Sequence, residues 1–157
     1  MGYKYPNSAV DVDSIIADVV ATVAWIDLVL QLKLAHIKYP VKLNSKVPEN
    51  IDLFEKFQNH YANQVAKLSY REKIDAIFDQ LEFENKQYRK DIKTLMIELG
   101  KIRNKVAHNA AISLVDKNFN LQSDSVGAHM INTNYDLFNE IFKRVEYFVT
   151  KTEESME

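Results

Sequence analysis

An all-α bundle of four or five helices, with one short irregular or hairpin insert, is the fold this sequence predicts. Three observations point to it. The 157 residues include only three Gly and three Pro, too few for a turn-rich β fold. Apolar residues recur by threes and fours over long stretches. Ser69-Tyr70-Arg71-Glu72 is a capping box, a signature of a helix start. The length suits a single domain over residues 1–157, and 46% hydrophobic with 27% charged residues is ordinary for a soluble globular chain with a good core.

The first helix is expected over 10–38, with Ser8 or Asp11 at its start. Val12, Ile16, Val19, Val23, Ile26, Leu30, Leu34 and Ile37 form its stripe. Beyond Trp25 it is apolar on nearly every side, so that half is buried either within the chain or at a subunit interface. Tyr39-Pro40 ends it. A second helix is expected over 51–68, with Leu53, Phe54, Phe57, Tyr61 and Val65 on one face. The third follows the capping box with Ile74, Ile77, Phe78 and Leu81, and polar residues 82–87 interrupt it. The fourth, 88–108, has Ile92, Leu95, Met96, Leu99, Ile102 and Val106 inside. Residues 111–115 and 119–121 read as two short strands about a turn, or as an ordered loop. Asn132 or Thr133 is expected to cap a last helix carrying Leu137, Phe138, Ile141, Phe142, Val145 and Phe148. Residues 151–157 are polar and expected to fray.

Several function classes are set aside by composition. There is no cysteine, hence no disulfide or thiolate metal site, and an intracellular, cytoplasmic setting fits. Residues 1–12 lack a basic head followed by an apolar run, and Pro6 stands where a myristoylation signal needs Ser or Thr. Asp18, Asp27 and Lys33 interrupt the most apolar stretch, a poor membrane span. A net charge of −2 gives no global attraction to nucleic acid, so any RNA contact needs a local basic patch. No Walker loop, GxGxxG, HExxH or Glu-x-x-His motif is present, and no metal or organic cofactor is expected. His36, His60 and His129 stand apart from carboxylates at ligand spacing and read as surface or interface imidazoles. Asp75, Asp79 and Glu82 read as a solvated acidic face.

One heptapeptide stands out, Arg103-Asn104-Lys105-Val106-Ala107-His108-Asn109. Asn104 and His108 are four apart and share a helix face. Arg103 leaves the helix about 140° from His108, so one helix does not easily aim both at one atom, whereas two copies across a dimer axis can. The residue types suit RNA cleavage without metal. Histidine gives and takes protons near neutrality, as removal of a 2′-hydroxyl proton requires. Arginine grips phosphate oxygens and stabilises the charged phosphorane. Asn104 can orient the imidazole or touch the scissile phosphate. Between Lys86 and His108, seven cations (Lys86, Arg89, Lys90, Lys93, Lys101, Arg103, Lys105) face only Asp91 and Glu98, as expected of a helix lying against a phosphate backbone. Gly100 costs about 1 kcal/mol in a helix interior and can admit a partner helix closely. The plain alternative is electrostatic: Arg and His near a helix C-terminus meet the negative dipole end, with Asn109 as the stop.

The heptapeptide resembles the RxxxxH signature of HEPN domains, with the polar residue that family favours directly after the arginine. The resemblance extends to the helical pattern over most of the chain but is sharp only at 103–108. It implies a homodimeric helical bundle whose two motifs share a cleft, and a metal-independent endoribonuclease of toxin–antitoxin or antiphage-defence type. Under it Arg103 and His108 are catalytic, Asn104 is auxiliary, and Lys101, Lys105 and Asn109 contact RNA. It further implies an antitoxin partner, in some systems a nucleotidyltransferase that adenylylates a Tyr two residues after the histidine. That position is Ala110 here, which speaks against this form of neutralisation and leaves another antitoxin mechanism, or none. Other HEPN proteins are non-catalytic RNA- or nucleotide-binding or dimerisation modules, so two classes are open: nuclease and interaction module.

Overall fold

A computed structural model describes residues 9–43, 50–113 and 126–157. It is all-α: α1 (Ala9–Lys38), α2 (Ile51–Asn63), a 3₁₀ turn (Val65–Lys67), α3 (Tyr70–Gln80), α4 (Lys86–Ser113) and α5 (Val126–Glu154). No strand occurs among the described residues. The chain divides into two compact units, 1–23 with 98–143, and 24–97 with 144–157.

The first unit holds the start of α1, the end of α4 and the start of α5. Its buried residues are Ile15, Val19 and Val23 from α1, Leu99, Ile102 and Val106 from α4, and Phe138 and Ile141 from α5. The expected stripes turn inward with two exceptions: in α1 Ile15 rather than Ile16 is buried, and Leu137, expected on the inner face of α5, is 49% exposed. Tyr135 donates its hydroxyl to Asp18 Oδ2 at 2.6 Å, tying α5 to α1. Gly100 is buried. The close approach it permits is therefore made within the chain, and it does not lie on an open face awaiting a partner helix.

The second unit holds the rest of α1, all of α2 and α3, the start of α4 and the end of α5. Asn50 Oδ1 accepts from Leu53 N at 3.0 Å and starts α2. The expected capping box at α3 is present in both directions: Glu72 N donates to Ser69 Oγ and Ser69 N donates to Glu72 Oε1. Those bonds to Ser69 hold the Glu72 carboxyl below its usual range. Phe78 stacks against Phe83 and Phe148, both at 5.3 Å between ring centroids. In the apolar second half of α1, Ile26, Val29, Leu30 and Leu34 are buried within the chain, which answers most of that stretch by internal packing. Leu28 and Ile37 stay exposed, at 44% and 37%. By length and hydropathy alone, Asp13–Lys38 could cross a bilayer, with a mean hydropathy of 1.9 in its most apolar window. Its apolar stripe is instead a core stripe of both units.

One polar cluster inside this unit has no precedent in the sequence pattern. Lys73 is 4% exposed. Its ammonium donates to Asp27 Oδ2 at 2.9 Å, Asp27 Oδ1 at 3.1 Å and Gln31 Oε1 at 2.9 Å. The three bonds match the three donors an ammonium carries. Removing one partner strands a buried charge, which costs about 3 kcal/mol or more, whereas removing the charge itself costs less. Asp27→Ala is therefore expected to lower the urea unfolding free energy by about 3 kcal/mol, and Lys73→Met by clearly less.

Five expectations are corrected. The 3₁₀ turn replaces the last turn of the second helix, because α2 ends at Asn63. α4 starts two residues early: Asn85 Oδ1 accepts from Gln87 N and Tyr88 N, so the polar interruption is itself a helix cap. α4 also continues through Ser113, so the first half of the supposed hairpin is helical where described; 114–125 lie outside the described residues. α5 begins at Val126, leaving Asn132 and Thr133 inside it rather than at its cap. The C-terminus is not frayed either. α5 runs to Glu154, Met156 is 1% exposed, Glu153 Oε2 accepts from Trp25 Nε1 at 3.2 Å, and Met156 O accepts from Leu43 N at 3.0 Å. Polar Lys151-Thr152-Glu153-Glu154 hid a stripe that continues through Phe148, Val149, Thr152 and Met156.

Candidate functional site

The heptapeptide lies on α4, inside the first unit. Leu99, Ile102 and Val106 bury one face of the helix, which fixes its rotation. Asn104, Lys105 and His108 then face outward and are exposed, and Arg103 is half-buried. The exposed stripe is a consequence of the apolar one, since the two alternate on a 3.6-residue period.

Arg103 Nε donates to Asn104 Oδ1 at 3.2 Å. The sequence suggested that Asn104 would orient the His108 imidazole or touch the scissile phosphate; its carbonyl oxygen accepts from the guanidinium. This has a geometric effect. Viewed down the helix, Asn104 sits between Arg103 and His108, about 100° from the first and about 40° from the second. A guanidinium drawn onto Asn104 leans toward the face that carries His108, closing part of the divergence expected from helix spacing. A hydrogen bond to a charged group is worth about 1.5–3 kcal/mol. If Arg103 acts on a phosphate, Asn104→Ala should lower kcat by about ten- to a hundredfold with the circular dichroism unchanged.

The dipole explanation for these residues is weakened. His108 lies five residues before the end of α4 at Ser113, and no basic residue occupies the helix's last turn. Neither Arg103 nor His108 meets terminal carbonyls, and Asn109 is not a stop. The side chain of Asn109 lies outside the described residues, as does that of His129.

The basic helix is less open than its composition suggests. Arg89 donates to the Phe78 carbonyl at 2.8 and 3.1 Å, sealing the end of α3, and sits 3.8 Å from Asp79. Lys93 pairs with Asp75 at 3.2 Å. Of the residues expected on a solvated face, Asp75 is half-buried and Asp79 exposed, and both pair with cations of α4; Glu82 lies beyond α3 and is exposed. Lys101 pairs with Glu98 at 3.3 Å on the surface, an exposed i,i+3 pair of the kind worth less than about 1 kcal/mol and open to displacement by phosphate. Lys105 is exposed and has no ion pair among the described residues.

No group of three or more His, Cys, Asp or Glu residues is placed to hold a metal ion among the described residues. No family model, no curated protein and no solved structure matches the chain.

Proposed function

We propose that this chain is a metal-independent endoribonuclease of HEPN type, cytoplasmic and acting as a homodimer in a toxin–antitoxin or antiphage-defence role. The observation that carries the reading is the Arg103–Asn104 hydrogen bond beside an exposed His108 on the next turn of the same helix. A fixed cation and a solvent-accessible imidazole are the two groups that 2′-hydroxyl attack on a phosphodiester needs. His108 takes the 2′ proton as the 2′-oxygen bonds to phosphorus, Arg103 stabilises the phosphorane, and the imidazolium so formed gives its proton to the 5′-oxygen as the P–O5′ bond breaks; Asn104 positions Arg103. Lys101, Lys105 and Asn109 meet flanking phosphates.

Twofold pairing of two α4 helices brings Arg103 of one copy toward His108 of the other. An antitoxin of nucleotidyltransferase or other type is the further partner of this reading. The non-catalytic reading draws on the same bond: a half-buried Arg103 held by its neighbour is also the geometry of a structural strut.

Incubation of the purified protein with single-stranded RNA in excess EDTA separates the two. The nuclease reading expects discrete cuts. RNA that is retained but left intact identifies a binding module instead.

A further inference from the structure

The second unit contains a cavity of about 550 Å³ where the end of α1, the end of α2 with the 3₁₀ turn, and α3 meet. Its size falls within the roughly 300–1,000 Å³ typical of small-molecule sites. Leu34, Ile37, Val65, Leu68 and Ala76 give it an apolar lining. A second cavity of about 380 Å³ is lined by Lys38, Tyr39, Lys56, Asn59 and Asn63. His60, Gln64 and Lys38 belong to both, so the apolar and polar chambers share one wall.

Two lysines, Lys38 and Lys56, stand among amides in the lining of the polar chamber. Among the described residues, no Asp or Glu lines either cavity. The Lys38 ammonium rests 5.7 Å from the centre of the Tyr39 ring, and His60 meets the same ring edge-on at 5.7 Å. Neither Lys38 nor Lys56 has an ion-pair partner among the described residues. Burial, and then the charge of Lys38, hold the His60 imidazole below its usual range. Lys38 and His60 also answer the carbonyl ends of α1 and α2. Lys56 does not, because it lies two turns before the end of α2.

We infer that the paired cavity binds a small amphipathic anion, its apolar chain in the larger chamber and its anionic head against Lys38 and Lys56. An apolar space ending in two ammonium groups complements that one class of ligand: the chain leaves water while the head meets charge of opposite sign. This site is independent of the heptapeptide and of the ribonuclease reading.

Decanoate is the probe, titrated into the full-length protein and followed by ¹⁵N-resolved amide shifts and calorimetry. Saturable binding with shifts centred on Gln64, Val65 and Ala76 is expected. Ala76→Phe, which fills the floor, and Gln80→Trp, which blocks the exposed rim, should each abolish it. The second variant keeps the test valid if the first fails to fold. The double reversal Lys38→Glu with Lys56→Glu should weaken decanoate by about tenfold or more while leaving the circular dichroism unchanged. Decyltrimethylammonium, with the same chain and opposite charge, should produce no saturable shifts. Equal binding of the cation, or full affinity in the double reversal, would reduce the site to an apolar hollow and overturn the assignment. Shifts centred outside this unit, or no binding at all, would overturn it equally.

Discussion

Replacing His108 by Ala is expected to slow RNA cleavage by about 10²-fold or more, and Arg103→Ala by a similar factor, the usual scale for a general base and for a group that stabilises transition-state charge. The two losses should differ in kind. His108 is exposed and has little packing to lose, so its variant should unfold at the wild-type temperature. Arg103 is half-buried and hydrogen-bonded to Asn104, so its variant should show a small stability loss beside the kinetic one. Arg103→Lys separates charge from geometry. Lysine keeps the positive charge but lacks the planar fork that reaches Asn104 and phosphate together, so it should recover only a small part of the rate. Cleavage by a folded His108→Ala dimer at the wild-type rate would end the nuclease reading.

The second large effect concerns assembly. Even with Arg103 drawn toward Asn104, the two key side chains start about 140° apart on one helix. A site assembled from both copies removes the difficulty, with Arg103 supplied by one protomer and His108 by the other. Mixing the inactive Arg103→Ala and His108→Ala proteins should then restore activity, because each heterodimer carries one intact composite site. Random exchange of equal amounts makes about half of all dimers heterodimers, so recovery of about a quarter of wild-type activity is expected when each wild-type dimer has two sites. Failure to recover any activity, with exchange demonstrated by native mass spectrometry, would mean that each site is built within one chain. A monomer by light scattering at micromolar concentration would remove the shared cleft altogether.

Where the amino-acid pattern carried local physics, it was readable. Ser69 and Glu72 specify their cap through groups three residues apart, and the stripes of α1, α4 and α5 specify their inner faces by period alone. Legibility failed where a residue type has two meanings. Asn85 reads as loop but caps α4, while Asn109 reads as a stop but is followed by Ala110 and Ala111, strong helix formers that carry α4 to Ser113. Thr133, read as a cap, is an exposed residue inside α5. The polar composition after Thr150 concealed the buried Thr152 and Met156.

Long-range partnerships were not legible at all. Lys73 looks like any surface lysine of an amphipathic helix until Asp27, 46 residues away, is packed against it. His60, which has no carboxylate at metal-ligand spacing in sequence, acquires Lys38 and Tyr39 as neighbours only when α1 and α2 meet. At the candidate site the exposed stripe followed from the helix period. The role of Asn104 did not, because two adjacent side chains bonding to each other depends on rotamers rather than on spacing.

The chemistry of the cut ends separates attack by the 2′-hydroxyl from attack by water. A synthetic single-stranded RNA is digested in excess EDTA, the cleavage position is mapped, and the termini are identified by mass spectrometry. The account predicts a 2′,3′-cyclic phosphate on one fragment and a 5′-hydroxyl on the other, and no cleavage once the nucleotide before the cut carries a 2′-deoxy sugar. Fragments ending in a 3′-hydroxyl and a 5′-phosphate, continued cutting of the 2′-deoxy substrate, or intact RNA would each contradict it.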